Sequence, residues 1–162
     1  MAPFTVFESA AQPTAVRATL TASELPTFFG GAFSVVAAVL SARGTPPTQA
    51  PFAYYPRLPD ATVKVEAGFT VAEPIAGSGE VVPSQLPAGT IARATHLGPY
   101  EKLAETYTAL ADWAATQGLA VSGPMWEVYL SDPQLEPDPS TWRTDISAYV
   151  VPAPVAATGG AR

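Results

Sequence analysis

Hydrophobic and polar positions recur along this chain with two periods, and the switches between them mark out its elements. Residues 125–130 run Met-Trp-Glu-Val-Tyr-Leu. Read with period two, Met125, Glu127 and Tyr129 share one face of a strand and Trp126, Val128 and Leu130 the other. In 62–71, Val63, Val65, Phe69 and Val71 alternate with Lys64, Glu66 and Thr70, the pattern of a half-buried antiparallel strand. Helical spacing appears at Leu25, Phe29, Ala32, Val36 and Leu40, behind the N-cap candidate Ser23 and ahead of Arg43-Gly44, which predicts a helix over 23–42. The internal Gly30-Gly31 pair opposes it, since each glycine costs up to ~1 kcal/mol there. Leu103, Tyr107, Leu110 and Ala114 repeat the spacing and predict a second helix over 99–117, with Pro99 in its first turn and Gln117-Gly118 at its end.

The order of elements is written twice. Ala15-Val16-Arg17-Ala18-Thr19 is echoed by Ile91-Ala92-Arg93-Ala94-Thr95, and each leads into a helix. A strand follows each helix (51–55 and 125–130), then a proline-marked turn (56–60 and 131–140), then a last strand (62–71 and 142–151). The predicted fold class is α+β, a duplicated strand–helix–strand–strand unit in one domain over 1–152, with repeats at about 5–74 and 80–152. One such unit alone would be too small to cover its sheet and its helix. Residues 73–87 form a Gly/Pro/Ser-rich linker with a short strand near 80–82. Phe4, Val6 and Phe7 suggest an extra edge strand, and 153–162 reads as a disordered tail.

Composition removes several classes of function. With no cysteine and one histidine, His96, a thiolate or histidine-rich metal centre is ruled out as an expectation, and no cofactor is indicated. Eight Lys and Arg, scattered singly in a chain of formal net charge −6, give no basic footprint for direct nucleic-acid binding. The longest apolar run, Phe33 to Leu40, is too short to span a membrane, and no signal-peptide pattern opens the chain, so a cytoplasmic protein is expected.

Glu127 carries the chemical interest. A carboxylate buried in that strand without a partner would cost several kcal/mol or take up a proton. Either a strand edge leaves it in water, or something cationic or hydrogen-bonding meets it. His96-Leu97-Gly98-Pro99-Tyr100-Glu101-Lys102-Leu103, with Trp113, Gly118, Gly123-Pro124 and Glu127-Val128-Tyr129, resembles the GyrI-like small-molecule-binding family. Pro51-Phe52-Ala53-Tyr54-Tyr55 and Val65-Glu66-Ala67-Gly68-Phe69 extend the resemblance to the first half, so that it covers about residues 5–152. It implies an antiparallel, barrel-like sheet with two helices and a central cleft, an aromatic pocket between the repeats, and a buried glutamate, here Glu127, that contacts flat hydrophobic cations. The sequence shows no helix-turn-helix like that of the family's transcription regulators. It is therefore expected to be a member without a DNA-binding module.

The expected ligand-binding residues are Phe33, Tyr55, Tyr107, Met125, Glu127, Tyr129 and Tyr149. Tyr54 and Tyr55 point to opposite faces, and the counterpart position of Tyr129 favours Tyr55. Met125 would be an adaptable wall on the face of Glu127. Phe28, Phe29, Phe33 and Tyr107 are spaced as core stripes, and the family's cleft between the helices is what keeps Phe33 and Tyr107 as candidates. Trp113 and Trp126 read as core anchors and His96 as a residue that fixes the turn before the second helix. The expected function is binding of hydrophobic, cationic aromatic small molecules through Coulomb and cation–π attraction. The alternative, implied by stand-alone members of the family, is hydrolysis of cyclopropanoid DNA-alkylating compounds, with Glu127 as general base and Tyr149 or Tyr55 donating a hydroxyl. A third option is an inhibitor that offers its acidic surface to a nucleic-acid site.

Overall fold

The computed structural model describes residues 4–19, 25–55, 65–131 and 135–153, with backbone alone over 18–19 and 25–30. Eight strands, β1 (Phe4–Ser9), β2 (Gln12–Thr19), β3 (Phe52–Tyr55), β4 (Val65–Thr70), β5 (Val82–Leu86), β6 (Gly89–Leu97), β7 (Leu119–Tyr129) and β8 (Arg143–Pro152), form a single sheet. Two helices, α1 (Leu25–Arg43) and α2 (Leu103–Thr116), accompany it. The strand order is β1-β6-β8-β7-β3-β4-β2-β5, and every pairing is antiparallel.

The helices form where the apolar spacing placed them. Ala32, Val36 and Leu40 of α1 and Leu110 and Ala114 of α2 are buried, so each helix turns its apolar stripe to the sheet. Helix α1 runs through Gly30-Gly31, packs on β4 and β2, and ends at Gly44, whose φ is +67°. Helix α2 packs on β7 and β6 and ends at Gly118, where φ is +75°. A short 3-10 turn, Tyr100–Lys102, takes the place of the expected first turn of this helix. Neither helix among the described residues is long and apolar enough to cross a membrane. The N-cap candidate Ser23, the turn at 56–60, the strand start at 62–64 and the tail from 154 onward lie outside the described residues.

Two tight connections roll the sheet. Residues 10–11 join β1 to β2 and residues 87–88 join β5 to β6, yet each linked pair stands six places apart in the strand order. Six steps of ~4.8 Å across a flat sheet would separate such strands by about 29 Å, whereas so short a connector reaches only about 11 Å. The sheet therefore curls until its ends approach. Its inner face holds Val16, Phe52, Tyr54, Leu86, Ile91, Trp126, Val128 and Tyr149 in one buried cluster, while both helices lie on the outer face. The barrel-like sheet is not closed: among the described residues no ladder joins β1 to β5.

Two further details position the sheet. Gly68 of β4 lies against β2 so closely that an added Cβ would collide with the Ala15 carbonyl oxygen and stand 2.9 Å from the Val16 Cα. The Arg17 and Arg93 echo is not a structural equivalence. Arg17 pairs with Ala67 and reaches α1 at Gly31, on the outer face, whereas Arg93 pairs with Ser147 and lies over the rings of Phe7 and Trp126, on the inner face. A one-residue difference in register reverses a strand's faces, and so matching motifs land on opposite sides.

Candidate functional site

Strands β7 and β3 occupy the middle of the sheet, and α1 and α2 converge on their outer face. Strand alternation places Met125, Glu127 and Tyr129 there, with Tyr55 opposite Met125 and the small Ala53 opposite Glu127. Glu127 is 7 % exposed. Each of its oxygens accepts a tyrosine hydroxyl: Tyr107 of α2 donates to Oε2 at 2.8 Å, and Tyr129 donates to Oε1 at 2.7 Å. Among the described residues no ion pair involves this carboxylate.

Burial is the largest influence on Glu127 and pushes its carboxyl above the usual range; the hydroxyls of Tyr129 and Tyr107 and the nearby His96 act in the opposite sense. The surrounding phenols respond to burial first and to the Glu127 charge next. Tyr55, Tyr107 and Tyr129 are all raised above the ordinary tyrosine value, so near neutral pH they are proton donors.

Aromatic rings surround this polar centre. Phe33 of α1 meets Tyr129 edge to face at 6.0 Å and Phe69 of β4 at 6.2 Å between centroids. Tyr100 packs on Tyr129 at 5.7 Å and on Trp142 at 4.9 Å. Electron-rich rings and a carboxylate thus lie close together on this face, a chemistry that attracts delocalised positive charge. His96 sits beneath the turn into α2, its Nδ1 2.6 Å from Thr106 Oγ1 and its Nε2 3.0 Å from the Pro99 carbonyl. A proton on Nε2 satisfies both contacts, with Thr106 donating to Nδ1. His96 therefore holds the Pro99–Tyr100 turn, the position its place in the sequence suggested. No group of three metal-ligating side chains comes together among the described residues.

Six of the seven expected residues, Phe33, Tyr55, Tyr107, Met125, Glu127 and Tyr129, are brought to this face. Tyr149 is not. It pairs with Ile91 on the inner face, where its hydroxyl donates to the Pro87 carbonyl at 2.5 Å and its ring lies 5.5 Å from that of Trp126. The hydroxyl is thus engaged on the side of the sheet away from Glu127. Phe69, Tyr100 and Trp142 join the rings without having been singled out. Phe69 was recognisable only as an apolar residue of an alternating strand. Tyr100 and Trp142 are brought together by hydrogen bonding between Gly98 N and the Trp142 carbonyl, a contact between distant segments.

A family profile described as the GyrI-like small molecule binding domain matches residues 17–150. No curated protein sequence matches the chain. Among solved structures, the C-terminal domain of EcmrR superposes with a TM-score of 0.78 at 19 % identity, covering 94 % of this chain and 99 % of that one. A structure described as a hydrolase from Listeria innocua gives 0.63 at 13 % identity, with 91 % of each chain covered. SAV2435 bound to tetraphenylphosphonium gives 0.64 at 10 % identity, covering 92 % of this chain and 94 % of that one. At these identities the superpositions establish a shared fold.

Proposed function

The chain belongs to the GyrI-like small-molecule binding family, and from that premise we propose that it binds hydrophobic, cationic aromatic molecules on the outer face of its sheet, with Glu127 as the counter-charge. The observation that carries this reading is a carboxylate 7 % exposed, ringed by aromatic side chains and paired with no cationic side chain among the described residues. Tyr107 and Tyr129 orient it, and Phe33, Tyr55 and Met125 complete the wall. The similar fold of SAV2435, a protein solved with a lipophilic cation bound, supports the ligand class. Ligand entry requires the rings to part. Tyr100, the exposed one among them at 36 %, is the natural one to move.

The same reading includes a duplicated architecture in one domain, with repeats at about 5–74 and 80–152. Its support is the strand order, which places β6-β8-β7 and β2-β4-β3 as mirror-ordered triplets around the middle of the sheet. A titration tests the binding proposal. Tetraphenylphosphonium, followed by protein fluorescence, is expected to bind at least about tenfold more tightly than neutral triphenylphosphine oxide, because only the cation gains the Coulomb and cation–π terms. Equal affinities would refute a site built on charge.

A second reading, hydrolysis of cyclopropanoid electrophiles, draws on the raised carboxyl of Glu127 and on the hydrolase among proteins of similar fold. Glu127 would take a proton from water as the water oxygen bonds to the strained carbon. The ring C–C bond breaks, its electron pair passes to the conjugated carbonyl oxygen, and a phenol of the site, Tyr55 in place of the remote Tyr149, stabilises that oxygen. Incubation with a cyclopropane-bearing spirodienone should then change its absorbance with multiple turnovers. A compound that is bound and recovered intact leaves only the binding function.

A further inference from the structure

Thr144 of β8 stands apart from every other polar group near Glu127. It is 0 % exposed, and its Oγ1 has no hydrogen-bond partner. A buried hydroxyl left in that state costs about 1–3 kcal/mol and calls for an explanation. The register places it on the outer face of the sheet, directly opposite Tyr129 on one side and His96 on the other. Neither neighbour bonds to it. The Tyr129 hydroxyl donates to Glu127, and both ring nitrogens of His96 are engaged with Thr106 and Pro99. The second buried hydroxyl without a partner, Thr14 Oγ1, lies opposite Thr70 and Ser84 near the β5 edge, remote from Glu127 in the strand order.

We infer that Thr144 is a ligand-contacting residue of this site, its hydroxyl donating to an oxygen acceptor carried by the bound aromatic cation. The inference rests on the reading of Glu127 as the counter-charge. Glu127 lies opposite Ile146, two residues along β8 from Thr144, so the two side chains are diagonal neighbours on adjacent strands. Diagonal neighbours are about 7–8 Å apart, roughly the length of a linear system of three fused aromatic rings. The ligand class is thereby narrowed from aromatic cations in general to those with an ether, ester or carbonyl oxygen at that distance from the positive centre. A propeller-shaped cation without oxygen would use the carboxylate and the rings and ignore Thr144.

Two probes and two variants test this. Rhodamine 6G, a xanthylium cation with an ester, and tetraphenylphosphonium, which has no oxygen, are titrated against wild type, Thr144→Val and Thr144→Ser. Valine keeps the shape and removes the hydroxyl, and its folding is checked by thermal melting. Thr144→Val is expected to weaken rhodamine 6G by about fivefold to tenfold, the worth of one hydrogen bond, and to leave tetraphenylphosphonium unchanged. Thr144→Ser should retain wild-type affinity for both. If Thr144→Val binds both cations as wild type does, or weakens both equally, the contact is refuted while the cation site stands. A wild-type protein that binds neither cation overturns both readings.

Discussion

Glutamine in place of Glu127 is expected to weaken tetraphenylphosphonium binding by about 1–3 kcal/mol and to change the affinity for a neutral aromatic ligand little. The amide preserves the shape and can still meet Tyr107 and Tyr129, and only the charge is lost. Acid should imitate the substitution. Because burial raises the Glu127 carboxyl, wild-type affinity for the cation should be full above that raised value and fall about tenfold per pH unit below it, while the glutamine variant stays flat. Tyr107→Phe removes one of the hydroxyls that favour the charged form, so it should move the midpoint further up. The effect on stability has the opposite sign. A carboxyl raised on folding contributes most below its unfolded value, and that contribution is lost as pH rises through the folded one. Melting temperatures of Glu127→Gln should therefore gain on wild type as pH climbs through this window. Pairs of titrations and melts across pH check both statements, and a wild-type cation affinity independent of pH would refute the charge-based account.

Gly68→Ala is expected to cost about 3 kcal/mol, at the upper end of overpacking substitutions, and to lower the melting temperature by about 6–12 °C. The neighbour of the added methyl is backbone, the Ala15 carbonyl and the Val16 Cα, and backbone cannot rotate aside. Strand β2 would have to move off β4, which would also disturb Arg17 and its ion pair with Glu80 at 2.5 Å. Calorimetry on the variant decides the point, and a melting temperature within a degree of wild type would show that the strands are not pressed together there.

The sequence made the strand containing Glu127 legible because alternation needs only neighbours. Met125, Glu127 and Tyr129 share a face as their spacing required, and the two helical stripes turn inward as theirs did. What crosses between elements was hidden. Tyr149 sits on a strand whose own alternation is blurred, with Ala148, Tyr149 and Val150 all buried in succession, so its face followed only from its pairing with Ile91. The arginine echo misled for the same reason, since likeness of local sequence does not fix register. Tyr100 and Trp142 meet through a loop and a strand end, and nothing local to either announces the other. The protonation of Glu127 likewise depends on two phenols, one of them on a helix twenty residues away.

The short connections that roll the sheet also bear on how the chain is made. Among the described residues strand β1 pairs with β6 alone, so Phe4 waits for Ala94; β5 adds itself to β2, so Leu86 returns to Gln12. Each half thus gives its leading strand to the other. During synthesis at about 5–20 residues per second, the apolar Phe4–Ser9 segment must remain without its partner until most of the chain has left the ribosome, the high-contact-order condition that slows folding and exposes strands to aggregation. Once formed, the exchange acts as a clasp. A single cut by a protease between 72 and 80 would sever the chain and still leave the two fragments woven together through β1 and β5.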